Sequence, residues 1–300
     1  MRINPGCRGY HTVARLAQHG AHVYMGVRSA EKGSNAMNRI RALYSQAHVT
    51  LLEMDHLSLS SVVSAAKLFL SQERVLHGLV NNAGIMATPF EKTKDGYEAQ
   101  WQTNYVAHWV ITSHLLPILL DTSKTLPRGS VRVVNLSSSG HYSAPKGGIN
   151  FEDTALPNAS GMTRYGQSKL GNILHAKTLN NVYGPDSFCS ENGDGEIWSA
   201  AVHPGLVGSE LAARAALPTW MKIVLAPYMA LGGKMDGDRG SWTSVFCAAS
   251  QEMKREHSGA YFQRIADPAG WQSSMAKDAE LAEKLEEWTR REMKTGGWER

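Results

Sequence analysis

The chain has 300 residues, of which 42% are hydrophobic, and a net charge of +4. That length suits one α/β unit with a well-buried core, and so small a charge, spread without runs of one sign, excludes a nucleic-acid footprint. Three distant cysteines, Cys7, Cys189 and Cys247, lack a Cys-x-x-Cys spacing and exclude a disulfide framework or a cysteine zinc site.

Residues 10–19 carry the apolar recurrence of a helix that Gly20 closes, and residues 21–27 read as the strand that follows. The next strand is predicted at 49–54 and an amphipathic helix at 59–72. Further apolar strands are predicted at 75–80, 131–136 and 197–202, with helical patterns between them. Residues 184–195 are polar and turn-rich and read as a surface loop. Strands alternating with helices predict a parallel sheet covered on both faces, and no internal repeat is present.

Residues 1–5 lack the apolar core of a signal peptide. The apolar stretch 220–231 is too short for a bilayer and contains Lys222 and Pro227. A cytoplasmic protein without an integral membrane segment or a nucleic-acid partner is expected. The twelve histidines are dispersed, and no metal site is expected. His141, three residues past Ser138, is given no role.

In open α/β sheets ligands sit beyond the carboxyl ends of the strands. Arg28, Asp55, Asn82 to Gly84, Ser138, Pro204 and Gly205 all follow predicted strands. Tyr165 and Lys169 are four apart in an apolar-periodic segment, so they share one helix face. A free phenol has a pKa of about 10, and a nearby ammonium favours the phenolate. The pair therefore points to acid/base chemistry on an alcohol or ketone, with the Ser138 hydroxyl bonding the substrate oxygen.

The series Asn81-Asn82-Ala83-Gly84, Asn104, Ser138, Tyr165 with Lys169, and His203-Pro204-Gly205 to Ser209 resembles the short-chain dehydrogenase/reductase family. The resemblance runs from about residue 9 to 265. The 27 positions between Ser138 and Tyr165 are similar to the branch of retinol dehydrogenases and protochlorophyllide reductases. It implies an α/β fold, a single Rossmann-like, doubly wound parallel-sheet domain over residues 1–300. A substrate loop is expected at about 140–163 and a lid at about 206–236. The implied activity is hydride transfer between a nicotinamide cofactor and a carbonyl or alcohol. In that scheme Tyr165 handles the proton, Ser138 orients the oxygen, and Lys169 lowers the Tyr165 pKa and holds the nicotinamide ribose. Asn104, on a helix with a disturbed backbone, holds a water leading from Lys169 to solvent.

The implied cofactor contacts are Gly9, Arg28, Asp55, Asn82, Ala83, Gly84, Tyr165, Lys169, Pro204, Gly205, Val207 and Ser209. Arg28 stands where an acidic residue would take a ribose 2′-hydroxyl and an arginine would take a 2′-phosphate, so NADP is favoured over NAD. The stretch 211–235, rich in leucine, alanine and methionine and containing Trp220, suggests a lipophilic small-molecule substrate. The family also implies a homodimer or homotetramer.

One part of the pattern departs. Aligning Gly9 with the last glycine of the family's Thr-Gly-x-x-x-Gly-x-Gly turn puts Cys7 and Ile3 where the other two belong. The first strand and its glycine-rich turn are thus largely missing, as in a truncated reading frame. A catalytically impaired interaction or regulatory protein with the same fold stays open as the alternative. A sugar-nucleotide epimerase or dehydratase is disfavoured by Asn81-Asn82-Ala83-Gly84 and by the lack of a large C-terminal domain.

Overall fold

The computed structural model describes residues 7–205, 235–263 and 265–300. β1 (Val23–Val27) pairs in parallel with β2 (Val49–Glu53), Val23 opposite Val49. A second parallel sheet has the order β3 (Gly78–Asn81), β4 (Arg132–Leu136), β5 (Trp198–Val202) and β6 (Tyr261–Phe262). Every residue of β4 and β5 is buried, Arg132 and Asn135 included, so these strands show no alternation of apolar and polar positions.

The helices start where the sequence offers a cap. Ser29 precedes α2 (Ala30–Leu43), Ser58 precedes α3 (Leu59–Gln72) and Ser160 precedes α6 (Gly161–Tyr183). In each case an extended serine accepts a bond from a first-turn N–H that would otherwise have no partner. α1 (Arg8–Gln18) differs, because Cys7 provides no side-chain cap and its first turn contains no acidic residue. A two-pronged ion pair from Arg15 to Asp238 fastens this helix, with Nε to Oδ1 at 2.9 Å and Nη2 to Oδ2 at 2.6 Å. Between β3 and β4, α4 (Ala99–Trp101) runs through a π-helical turn, Gln102–Val106, into α5 (Ala107–Lys124).

The largest core lies where α3, α5 and α6 meet the sheet. The C-terminal helix Ala279–Thr295 joins it through Leu281, Leu285 and Trp288. Tyr105 Oη and Thr289 Oγ1 are 2.7 Å apart, and Trp109 Nε1 donates to Glu286 Oε2 at 2.8 Å. The C-terminal helix therefore lies against α6 and reaches Trp109 of α5. A smaller core of Tyr10, Ala14, Met25, Val27, Ile40 and Val49 holds α1 and α2 on the first sheet.

The two sheets do not pair with each other. A cavity of about 770 Å³ runs between β1 and β3 along their whole length, from His22 and His77 at the amino ends to Arg28 and Asn82 at the carboxyl ends. Its walls are half-buried Val23, Tyr24, Leu79 and Val80, with Gly26 and Gly78 exposed. Among the described residues no strand occupies the place expected of the family's first one.

Two expectations change in detail. The strand predicted at 75–80 begins only at Gly78, because the Leu76 N–H is taken by the Thr122 side chain at 3.0 Å rather than by a neighbouring strand. Residues 184–195 are more than a surface loop: they contain α7 (Phe188–Glu191), capped by the buried Ser187. The predicted lid at 206–236 falls almost entirely outside the described residues.

Candidate active site

The carboxyl ends of β1, β2 and β3 open into the upper part of the same cavity. Gly9, Arg28, Asp55, Asn82, Ala83 and Gly84 all line it. Arg28 is exposed at the end of β1. Asp55 is fixed by local bonds: its N–H donates to Ser61 Oγ at 3.0 Å, and its Oδ1 accepts from the Leu57 N–H at 3.1 Å. A Cβ on Gly9 would stand 2.6 Å from Asn82 Nδ2, so the start of α1 lies close against the Asn82 side chain. Pro204 and Gly205 follow β5, with Gly205 at φ +79°. Val207 and Ser209 lie outside the described residues.

Tyr165 and Lys169 project from the same face of α6, Lys169 Nζ lying 5.8 Å from the Tyr165 ring centre. Both are buried. Ser138 ends the chain segment after β4 in an extended conformation, and its Oγ accepts from the Gly140 N–H at 3.0 Å. Its hydroxyl also acts on the Tyr165 phenol, favouring the phenolate. Two glycines permit this approach. A Cβ on Gly140 would lie 2.6 Å from Tyr165 Cε1, and one on Gly166 would lie 2.6 Å from the Ala144 nitrogen.

Lys169 is held from beneath. Its Nζ donates to the Leu136 carbonyl at 2.8 Å, Asn172 Nδ2 donates to the same oxygen at 2.8 Å, and Ser137 Oγ donates to the Lys169 carbonyl at 2.7 Å. Asn104 sits in the π-helical turn, fully buried. Its Oδ1 accepts from the Ile85 N–H at 2.8 Å, while Nδ2 donates to the Ile85 carbonyl at 3.0 Å and to Ser168 Oγ at 2.8 Å. The amide therefore braces the loop after Gly84 against α6. A Cβ on Gly84 would lie 3.1 Å from Asn104 Oδ1 and 3.4 Å from Lys169 Nζ, so Asn104, Ser138, Tyr165 and Lys169 are brought together.

The electrostatics differ from the simple picture of one lysine activating one tyrosine. Burial raises the Tyr165 pKa, and the opposing influences are the Ser138 hydrogen bond and the charge of Arg8. Lys169 is pushed down to about 7, first by burial and then by Arg8. Arg8 is itself lowered by burial. Nothing in the sequence around Arg8 signals this proximity, which depends on how the start of α1 meets α6.

Arg164, immediately before the tyrosine, was also missed. Its Nε pairs with Glu98 Oε1 at 3.1 Å, both side chains being buried, and its Nη atoms donate to the carbonyls of Ala159 and Thr88. It ties the predicted substrate loop to the tyrosine. The only sequence signal was a lone arginine preceding Tyr165.

A family model described as short chain dehydrogenase matches residues 6–151. Short-chain dehydrogenase/reductase drtF of Aspergillus calidoustus is 49% identical over 95% of this chain and 90% of its own length. The chain belongs to the short-chain dehydrogenase/reductase family. Mouse retinol dehydrogenase 12 is 32% identical over 92% of this short-chain dehydrogenase/reductase and 80% of the mouse protein. Among solved structures, a Mycobacterium paratuberculosis protein superposes with a TM-score of 0.69 at 27% identity, covering 95% of this chain and 88% of that one. The NADPH-bound carbonyl reductase from chicken fatty liver gives 0.59 at 16% identity over 89% and 96%, a likeness of fold. The family's oxidoreductase character and α/β sheet agree with the strands and helices found here. Among the described residues no cluster of side chains could hold a metal ion, and no helix is long and apolar enough to cross a membrane.

Proposed function

We propose that this short-chain dehydrogenase/reductase uses NADP(H) to interconvert a carbonyl and an alcohol on a lipophilic small molecule. The observation that carries the reading is buried Tyr165, with the half-buried Ser138 hydroxyl as a hydrogen-bonding influence on its phenol and Lys169 one turn further along α6. The Tyr165 hydroxyl delivers the proton to the substrate oxygen, and the Ser138 hydroxyl orients that oxygen. Positioned acid/base groups of this kind supply roughly 10²–10⁴-fold. Lys169, with a pKa of about 7, is a proton carrier beside the phenol as well as a charge. Asn104 keeps the Gly84–Ile85 backbone in place.

The cleft fits a dinucleotide. α1 presents an N-terminus without a side-chain cap, a favourable site for pyrophosphate, and Gly9 leaves room beside it. Asp55 and Asn82 to Gly84 line the adenosine and ribose side. Arg28, following Val27 with no carboxylate at that strand end, favours a 2′-phosphate. Tyr165 and Lys169 would hold the nicotinamide ribose, and Pro204, Gly205, Val207 and Ser209 would hold the carboxamide. When bound, the cofactor supplies or accepts the hydride.

The open cavity between β1 and β3 favours a second reading, an impaired Rossmann-fold protein that acts through interaction or regulation. NADPH titration followed by fluorescence separates the two: saturable binding with turnover of a carbonyl supports the enzyme, and no binding supports the module. A homodimer or homotetramer is the family-based proposal for assembly. The C-terminal helix against α6 favours a monomer, and light scattering at micromolar concentration decides between them.

A further inference from the structure

His141 lies in the 3₁₀ turn Ser139–Ser143, with none of its surface exposed. Its Nδ1 is 2.8 Å from the Ser138 carbonyl oxygen, and its Nε2 is 3.1 Å from the backbone nitrogen of Ser273. A carbonyl can only accept and an amide N–H can only donate, so the ring is neutral with its proton on Nδ1. Both nitrogens are thereby committed. Tyr261 meets the ring edge-on at 5.2 Å, and Tyr142 packs on it at 4.3 Å. Ser273 in turn caps the short helix Ser274–Lys277 through its side chain. One imidazole thus joins the turn that carries Ser138 to a segment 132 residues further along the chain.

Resting on the reading of Ser138 as the residue that orients the substrate oxygen, we propose that His141 is a positioning residue for this reaction. It clamps the Ser138 backbone to the C-terminal segment at Ser273 and so fixes the aim of Ser138 Oγ. The ring makes no contact with Tyr165 that would give it a direct part in proton transfer. Its leverage is geometric: Ser138 Oγ has to serve the Tyr165 hydroxyl and a substrate oxygen together, and a misplacement of about 1 Å can cost about a hundredfold in rate.

Burial also holds His141 below its usual range, against the opposing bond to Ser138. Protonation would place a second N–H at Nε2, facing the Ser273 N–H, and open the clamp. The groups facing the ring are Tyr142 on its own turn, Tyr261 on β6, and His203 after β5. Since the folded pKa is depressed, the clamp is intact above the ordinary histidine range and lost as the pH falls through the folded value.

The test uses His141→Phe, which keeps the ring and removes both bonds, together with Ser273→Pro and Ser273→Ala. Ser273 has φ −63°, which suits proline, so Ser273→Pro deletes the donor N–H along with the cap. Ser273→Ala loses the cap alone. The expected result is a kcat about tenfold to a hundredfold lower in His141→Phe and Ser273→Pro, with KM for NADPH unchanged and Ser273→Ala near wild type. Wild-type kcat in both His141→Phe and Ser273→Pro would overturn the proposal, as would equal losses in Ser273→Ala and Ser273→Pro. ¹⁵N NMR of the imidazole gives a reading that needs no turnover. A protonated Nδ1 with an unprotonated Nε2 supports the clamp, and the opposite tautomer overturns it even if the proposed activity stands. A wild-type protein without turnover but with the Nδ1–H tautomer would instead overturn the functional reading and leave the clamp in place.

Discussion

The cavity between β1 and β3 has the outline of a strand, which gives a strong prediction. Replace residues 1–9 by an apolar pentapeptide followed by Thr-Gly-Ala-Asn-Ser-Gly-Ile-Gly. Five residues in β conformation span about 17 Å, which matches the five-residue β1 and four-residue β3 that flank the cavity. Burying five apolar side chains gains about 7–15 kcal/mol in all, and ordering five residues of backbone and side chain costs a similar amount. The two terms nearly cancel, leaving the ladders. With roughly four bonds to each edge at about 0.5–1.5 kcal/mol apiece, the net gain is about 4 kcal/mol at the low end. That corresponds to a rise in Tm of at least about 6 °C for a chain of this size. The glycine turn acts on NADPH affinity and the strand on folding, so titration and thermal melting read the two separately, and a variant carrying only the strand should raise Tm alone. If the chain as it stands melts in one cooperative step and the strand variant melts no higher, the cavity is not a strand site and the reasoning fails.

Further outcomes concern single residues. Arg28→Asp should move the ratio of kcat/KM for NADPH over NADH by roughly 10- to 150-fold toward NADH, on the scale of a charge-assisted bond of about 1.5–3 kcal/mol. An unchanged ratio would mark Arg28 as a surface cation. His175 is buried and its pKa is lowered to about 4, chiefly by burial. The unfolded chain therefore binds more protons between about pH 6.5 and 4. Its contribution, about 3 kcal/mol at most, is full above pH 6.5 and lost as the pH falls to about 4. Chemical denaturation across that window should show a shallower pH dependence for His175→Gln, and equal slopes would refute the assignment.

Much of the fold was legible because its signals are local. α3 was predicted at its observed bounds, since Ser58 caps it and its apolar face repeats every turn. β4 and β5 stood out as mostly apolar runs without alternation because both of their faces are covered. Tyr165 and Lys169 met as their spacing required. What escaped was set by distant parts of the chain. Glu98 and Arg164 pair across 66 positions, whereas the π-helical turn at Asn104 was expected, though from the family resemblance rather than from the residues themselves. The lowered pKa of Lys169 depends on the depth of the site and on Arg8. His141 looked like an ordinary histidine until Ser273 was placed against it.

The most direct test of the proposed chemistry is Tyr165→Phe, assayed alongside wild type for NADPH-dependent reduction of a panel of lipophilic aldehydes and ketones. The substitution removes the proton donor and leaves the ring, so turnover should fall by roughly two to four orders of magnitude while NADPH binding by fluorescence stays within about twofold of wild type. Equal activity of the two proteins on every substrate that the wild type reduces would contradict the assignment of Tyr165 as the acid and base of the reaction.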